Sequence, residues 1–217
     1  RAVYEAVFEN RVVKFFLRAI PSLPEVLLLG KILHEPRATD ARGRPRWDLV
    51  IVDAPSTGHA VQLFRVPAAL ADTVPAGPLR RDALWMRDML ADPDVTALSI
   101  VALPEEMPVA ESIELDAQVR EVLRIPRGLL FLNAMPEGRF TAAEQLRLRP
   151  LAEGEEPLGP AARAALLQAR RAAEASRHAA RLEAAVALPT VVLPLIAAER
   201  WGREAVERIS RCLSDRV

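Results

Sequence analysis

Cysteine is almost missing from this chain: Cys212 stands alone among 217 residues. That excludes an internal disulfide and a CxxC metal pair, and it points to a reducing compartment, the cytoplasm. Net charge is missing too, with 29 Lys and Arg against 29 Asp and Glu. No overall field then draws the chain to nucleic acid or to an anionic membrane. No run of eighteen or more apolar residues occurs, and the first residues are not a charged region leading into an apolar one, so neither a transmembrane segment nor a signal peptide is expected. Glycine is sparse: ahead of Gly58 there are only Gly30 and Gly43, and no GxxxxGK[ST] or GxGxxG string. What is abundant is apolar surface, 51% of residues, enough for a full core and one domain over residues 1–217.

The apolar residues fall into two periods. Tyr4, Phe8, Val12, Phe15, Phe16 and Ile20 keep helical spacing up to Pro21, and Pro24 to His34 reads as a second short helix. Residues 35–46 read as a polar loop. Four short β-branched runs follow, Leu49–Val52, Ala97–Leu103, Gly128–Asn133 and Thr190–Leu195, each bounded by turn residues as in strands buried on both faces. Helical pattern separates them. Ser112, Leu115, Val119, Val122 and Leu123 make a crossover that Pro108 opens, residues 153–160 read as a surface loop, and Ala161–Leu188 and Glu199–Leu213 read as helices. Strand and helix in alternation predict an α/β fold, a parallel sheet flanked by helices, with the four strands only part of the sheet. The helical stretches 1–34 and 68–92 could form a subdomain. Because the chain opens on Arg1 directly in helical pattern, it reads as incomplete at its amino end.

Ligands of open α/β sheets bind beyond the carboxyl ends of the strands. The first run ends in Asp53-Ala54-Pro55-Ser56-Thr57-Gly58-His59. An acid at the tip of a buried strand must meet a cation or donors, and magnesium in a water shell is a natural partner. A hydroxyl, a glycine and a histidine then suit a loop that moves with the presence of a phosphate. On the residues alone, Asp53 is equally the cap of the next helix, a part open also to Ser56 or Thr57.

The string Trp47 to His59, with Leu63 and Val66-Pro67 after it, resembles the switch II region of the anion-transporting ATPase family, the ArsA/Get3 class. That pattern runs aspartate-threonine-alanine-proline-threonine-glycine-histidine, and here the proline sits one place early. Leu130-Phe131-Leu132-Asn133 resembles the family's strand ending in an asparagine that meets adenine. Val192-Leu193-Pro194-Leu195, with Glu199 and Gly202, resembles the segment closing over the base; Ser22 to Glu25 matches more loosely. The resemblance implies a P-loop NTPase-like domain of the SIMIBI class and an ATP-hydrolysing switch using ATP and Mg. In it Asp53 holds magnesium through water, Thr57 and Gly58 sense the γ-phosphate, and His59 couples the switch to a partner. Asn133 bonds the base, and Pro194 and Leu195 pack on its face. It also implies a homodimer or pairing with a related subunit, and a protein client.

Neither the family's P-loop nor its switch I aspartate is among these residues, so the expectation is an ATPase in the complete protein and an inactive chain in isolation. A catalytically degenerate scaffold or half-subunit that binds a partner is the alternative. Arsenite is an unfit cargo for one cysteine. Lone His34 and His178, the acids Glu105 and Glu106 at a helix start, and the group Trp85, Met86 and Met89 are expected to serve solvation, the helix dipole and packing respectively, the last with a client groove as its alternative.

Overall fold

The structure is a computed structural model that describes residues 23–154, 157–197 and 201–214. The helix expected over residues 4–20 lies outside the described residues. The chain divides into two compact units: residues 1–96 with 121–126, and residues 97–120 with 127–217.

The first unit is helical. Helix α1 (Leu23–His34) leads into a 3-10 turn (Glu35–Arg37), then α2 (Thr57–Thr73) and α3 (Pro78–Ala91). Ala60, Leu63, Pro67 and Ala71 recur every three or four residues on the buried side of α2, as Ala83, Met86 and Leu90 do on α3. The three helices pack on one another with Leu29 and Leu33 of α1 in the core. Each large side chain removed from water there contributes roughly 1.5–3 kcal/mol. Pro67 interrupts the backbone ladder of α2, yet it is fully buried, so its ring is part of that core. Gly77 at φ 111° turns the chain into α3, and Pro78 takes the first turn, where its missing N–H costs nothing.

The polar stretch 38–46 is more ordered than a plain loop. Its chain doubles back through a Thr39–Pro45 bridge, with Asp40 at the centre. One carboxylate oxygen of Asp40 accepts from the Arg42 and Arg44 amides at 2.8 and 3.0 Å. The other accepts from the Arg44 guanidinium at 2.9 Å. The backbone N–H of Arg44, then that of Arg42, then the guanidinium hold this carboxyl below its ordinary value.

The strand expected at Leu49–Val52 is not formed. Leu49 is 75% and Ile51 84% exposed, and among the described residues no backbone hydrogen bond includes residues 48–55. A run of this composition becomes a strand only when neighbouring strands take its N–H and C=O groups and helices cover its faces. No such neighbour pairs with it among the described residues.

The second unit is the α/β sheet. Strands β1 (Leu98–Ala102), β2 (Arg127–Met135) and β3 (Thr190–Pro194) are all parallel in the order β1-β2-β3. Helix α4 (Glu106–Gln118) and a single π turn (Val119–Leu123) join β1 to β2. The hairpin of α5 (Ala142–Ala152) and α6 (Leu158–Val186) joins β2 to β3, and α7 (Arg203–Ser214) packs against β3. On one sheet face Ile100, Ala102, Leu130 and Leu132 meet Val109 of α4 and Ala179, Leu182 and Val186 of α6. Alanines at that seam let α6 lie close to the strands. The opposite face is covered at β3, where Val191 is buried, and open at β1, where Val101 is 64% exposed.

Two details of this unit differ from the sequence pattern. The buried face of α4 carries Val109, Ser112 and Asp116 and continues to Val119, while Val122 is exposed. Asp116 is only 2% exposed; its carboxylate meets Arg127 at 2.9 Å and Arg120 at 3.1 Å. The same Arg127 nitrogen donates to the Val186 carbonyl at 3.1 Å, tying α4, β2 and the end of α6 together. Residues 153–160 are only partly loop, since α6 already begins at Leu158.

Candidate functional site

The residues singled out by the sequence lie in two places, one in each unit. In the first unit, Asp53-Ala54-Pro55 is irregular chain that enters α2 through Ser56, its N-cap. Asp53 is therefore not the cap, and Ser56 makes no side-chain capping bond. The first hydrogen bond along the helix is Ala60 N–H to Ser56 C=O at 3.0 Å. The amides of Thr57, Gly58 and His59 precede it and have no helical acceptor. Together with the helix dipole they form a positive, donor-rich end.

Asp53, Gly58 and His59 are exposed and Thr57 half-buried. A Cβ placed on Gly58 would meet nothing within 4 Å, so packing does not explain the glycine. It leaves its amide open to close approach by a ligand. Asp53 has no hydrogen-bond or ion-pair partner among the described residues. Among those residues no three His, Cys, Asp or Glu side chains gather as a metal site. A single free carboxylate fits a cation bound chiefly by water and by a ligand's oxygens, which is magnesium's habit rather than zinc's or calcium's.

In the second unit the carboxyl ends of β2 and β3 bring Asn133, Pro194 and Leu195 to one rim. Met135 pairs with Pro194 across a register shift that follows Leu132, and the Leu195 amide donates to the Met135 carbonyl at 2.8 Å. Pro194 and Leu195 present exposed apolar surface at this rim, Leu195 to 60%. Half-buried Asn133 accepts at Oδ1 from the Ala134 amide at 2.9 Å, and no bond from its NH2 group occurs among the described residues. Ala134 sits at φ 54°, a left-handed conformation that costs an L-residue roughly 1–2 kcal/mol. That bend was not legible in the sequence, since alanine carries none of the glycine or asparagine signal of left-handed backbone. Beside the rim, Glu105 is the N-cap of α4 and Glu106 lies in its first turn.

The chain is similar to mycobacterial proteins named as ATPases. It is 31% identical over 121 residues to the ATPase BagA of Mycobacterium tuberculosis, and equally so to the "Putative ATPase Mb3704" of Mycobacterium bovis. The alignment covers 56% of this chain and 35% of each relative, so the chain spans about a third of the relatives' length. No family model matches. The three-stranded parallel sheet with flanking helices is compatible with a P-loop NTPase-like domain. No described helix is long and apolar enough to cross a membrane.

The remaining candidates resolve into ordinary roles. Met86 is core at 3% exposure. Trp85 stacks under the Arg37 guanidinium, 4.5 Å from the ring centroid, beside an open groove of about 640 Å³ that Leu84 and Met89 also line. His34 is exposed and His178 half-buried. The Asp116–Arg127 pair was missed, although a polar residue on the apolar face of α4 is the kind of signal that would find it.

Proposed function

We propose that this chain is the switch-bearing and base-binding portion of an ATPase of the ArsA/Get3 type, in which nucleotide state is transmitted to a dimer and to a partner or client. The observation that carries the reading is the unpartnered Asp53 just ahead of the open amides of Thr57, Gly58 and His59. A carboxylate and a set of free N–H groups side by side suit a magnesium–phosphate ligand, whose metal and anion ask for opposite partners. The names of the mycobacterial relatives agree with ATP as that ligand.

In this reading Asp53 would hold magnesium through water, and Thr57 and Gly58 would sense the γ-phosphate. Magnesium, when bound, neutralises charge on the phosphate oxygens. His59, exposed on the first turn of α2, carries the movement to a neighbouring subunit. Asn133 bonds the base while Pro194 and Leu195 cover its face. The domain is read as a single ATPase domain with a helical part, and its setting as the cytoplasm. Alone, the chain is inactive, because no lysine-bearing phosphate loop occurs in its 217 residues.

In the full-length protein, Asp53→Ala is expected to abolish magnesium-dependent ATP turnover, measured as phosphate release. Unchanged turnover would remove Asp53 from the site and favour a degenerate scaffold.

A further inference from the structure

Residues 37–46 of the first unit hold Arg37, Arg42, Arg44 and Arg46 against a single acid, Asp40. The chain as a whole has no net charge, so a polyanion has to be met by a local group of this kind. The stretch is a built hairpin. The Arg46 amide donates to the Ala38 carbonyl at 2.7 Å, the Asp40 amide donates to the Arg44 carbonyl at 2.8 Å, and Gly43 at φ 76° forms the tip. The Asp40 carboxylate binds the Arg42 and Arg44 amides and the Arg44 guanidinium. Only Arg44 is neutralised by this: the guanidinium groups of Arg37, Arg42 and Arg46 meet no carboxylate among the described residues.

Two of these three lie on tryptophan rings. Arg46 sits 5.1 Å from the Trp47 centroid and Arg37 sits 4.5 Å from that of Trp85. Because Ala38 pairs with Arg46, the register sets Arg37 across from Trp47 at the base of the hairpin. The Trp47 Nε1 donates to the Glu35 carboxylate at 3.2 Å, which holds the ring by its edge, while 47% of the residue stays in water. A fixed, half-exposed indole beside free guanidinium groups is a stacking surface.

We propose that this hairpin and Trp47 bind single-stranded nucleic acid, with Arg37, Arg42 and Arg46 on phosphates and the Trp47 ring stacked on a base. Phosphates ask for cations and unpaired bases ask for flat faces; a single strand presents both. An acidic peptide supplies charge without the bases. An anionic bilayer asks for apolar side chains to enter it, and between Asp40 and Arg44 nothing apolar is larger than alanine. The Asp40 turn sets the backbone beforehand, so less order has to be imposed when the strand arrives. None of these residues carries a role in the ATP reading, and the surface stands or falls without it.

The test titrates the full-length protein into fluorescein-labelled oligothymidylate and oligouridylate of about twelve nucleotides and reads anisotropy across a salt series. Three arginines on phosphates give an expected log–log slope of about −2, and Arg42→Ala is expected to make it shallower by about 0.7. The Arg42 side chain has no partner among the described residues, so its loss leaves the fold alone. Trp47→Ala is expected to weaken binding about tenfold, and Trp47→Phe less than about threefold, because a phenyl ring still stacks. Asp40→Ala separates charge from shape: charge alone would tighten binding, whereas loss of the pre-formed turn is expected to weaken it about threefold. Thermal unfolding checks that each variant folds. Equal affinity for the two probes means phosphate and base suffice, and a preference for oligouridylate adds a contact to the 2′-hydroxyl. Polyglutamate that displaces the probes as well as unlabelled oligonucleotide does would assign the surface to an acidic protein and overturn the proposal. It is overturned equally by a parent that binds neither probe, by a slope that Arg42→Ala leaves unchanged, by Trp47→Ala binding as the parent does, or by tighter binding in Asp40→Ala.

Discussion

Replacing Arg127 by methionine is expected to destabilise the sheet unit by about 2–3 kcal/mol. Removing one partner of a buried pair generally costs about 3–5 kcal/mol, because the other charge is left desolvated. Here Asp116 is 2% exposed and cannot reach water by a rotamer change, which places the loss toward that range. Two features reduce it: Arg120 stays in contact at 3.1 Å, and Arg127 is itself 27% exposed and gains less from its partner. The lost bond to the Val186 carbonyl adds back about 1 kcal/mol. The double change Asp116→Leu with Arg127→Met removes both charges, and an apolar pair of similar volume is expected to lie within about 1 kcal/mol of the parent. Urea unfolding followed by far-ultraviolet circular dichroism measures all three proteins. A cost for Arg127→Met below about 0.5 kcal/mol, or a double variant worse than the single, would refute the reasoning.

Gly128→Ala would place a Cβ 2.8 Å from the Ser99 hydroxyl, whose oxygen accepts from the Leu129 amide at 3.1 Å. A loss of about 1–3 kcal/mol is expected in the same unfolding assay, and a neutral result would mean that the register shift of β1 against β2 between Leu98 and Ile100 yields freely. The Glu144 carboxylate accepts from the Thr141 amide at 2.7 Å and from its hydroxyl at 2.8 Å, and that amide above all lowers its pKa below the ordinary 4.5. With the folded value depressed, the capping box stabilises α5 above about pH 4.5, and this contribution is lost as pH falls through the lower folded value. A carbon-detected titration of Glu144 should therefore give a midpoint below 4.5, and Thr141→Ala, which keeps the amide and removes only the hydroxyl bond, should move it the smaller part of the way back; a parent midpoint at or above 4.5 would discard the box.

The sheet was readable because β1, β2 and β3 each combine a short branched apolar run with flanking helices of the right length, and local pattern and tertiary pairing agree there. Leu49–Val52 has the same composition and is not a strand, since composition states an appetite for neighbours without supplying them. Helix α4 was placed correctly, and Ser112 and Val119 of the expected stripe are buried, but Val122 of that stripe is exposed and Asp116, outside it, is inside. The error came from assuming that polar residues face water, when Arg127, eleven positions onward, makes the carboxylate tolerable inside. At the candidate site, residue types were legible at Asp53 to His59 and at Asn133. The bend at Ala134 was not, because it is imposed by how β2 leaves its register with β3 and has no residue signature of its own.

The bare run Leu49–Val52 also bears on how this chain behaves in a tube. Four consecutive aliphatic residues whose backbone groups find no partner among the described residues are a template for edge-to-edge sticking between molecules. Asp48 and Asp53 bracket them, and paired anions at the two ends are the kind of gatekeeper that makes stacked copies repel. Removing either charge should lower the concentration at which the chain begins to clump, well before any change in its folding is felt.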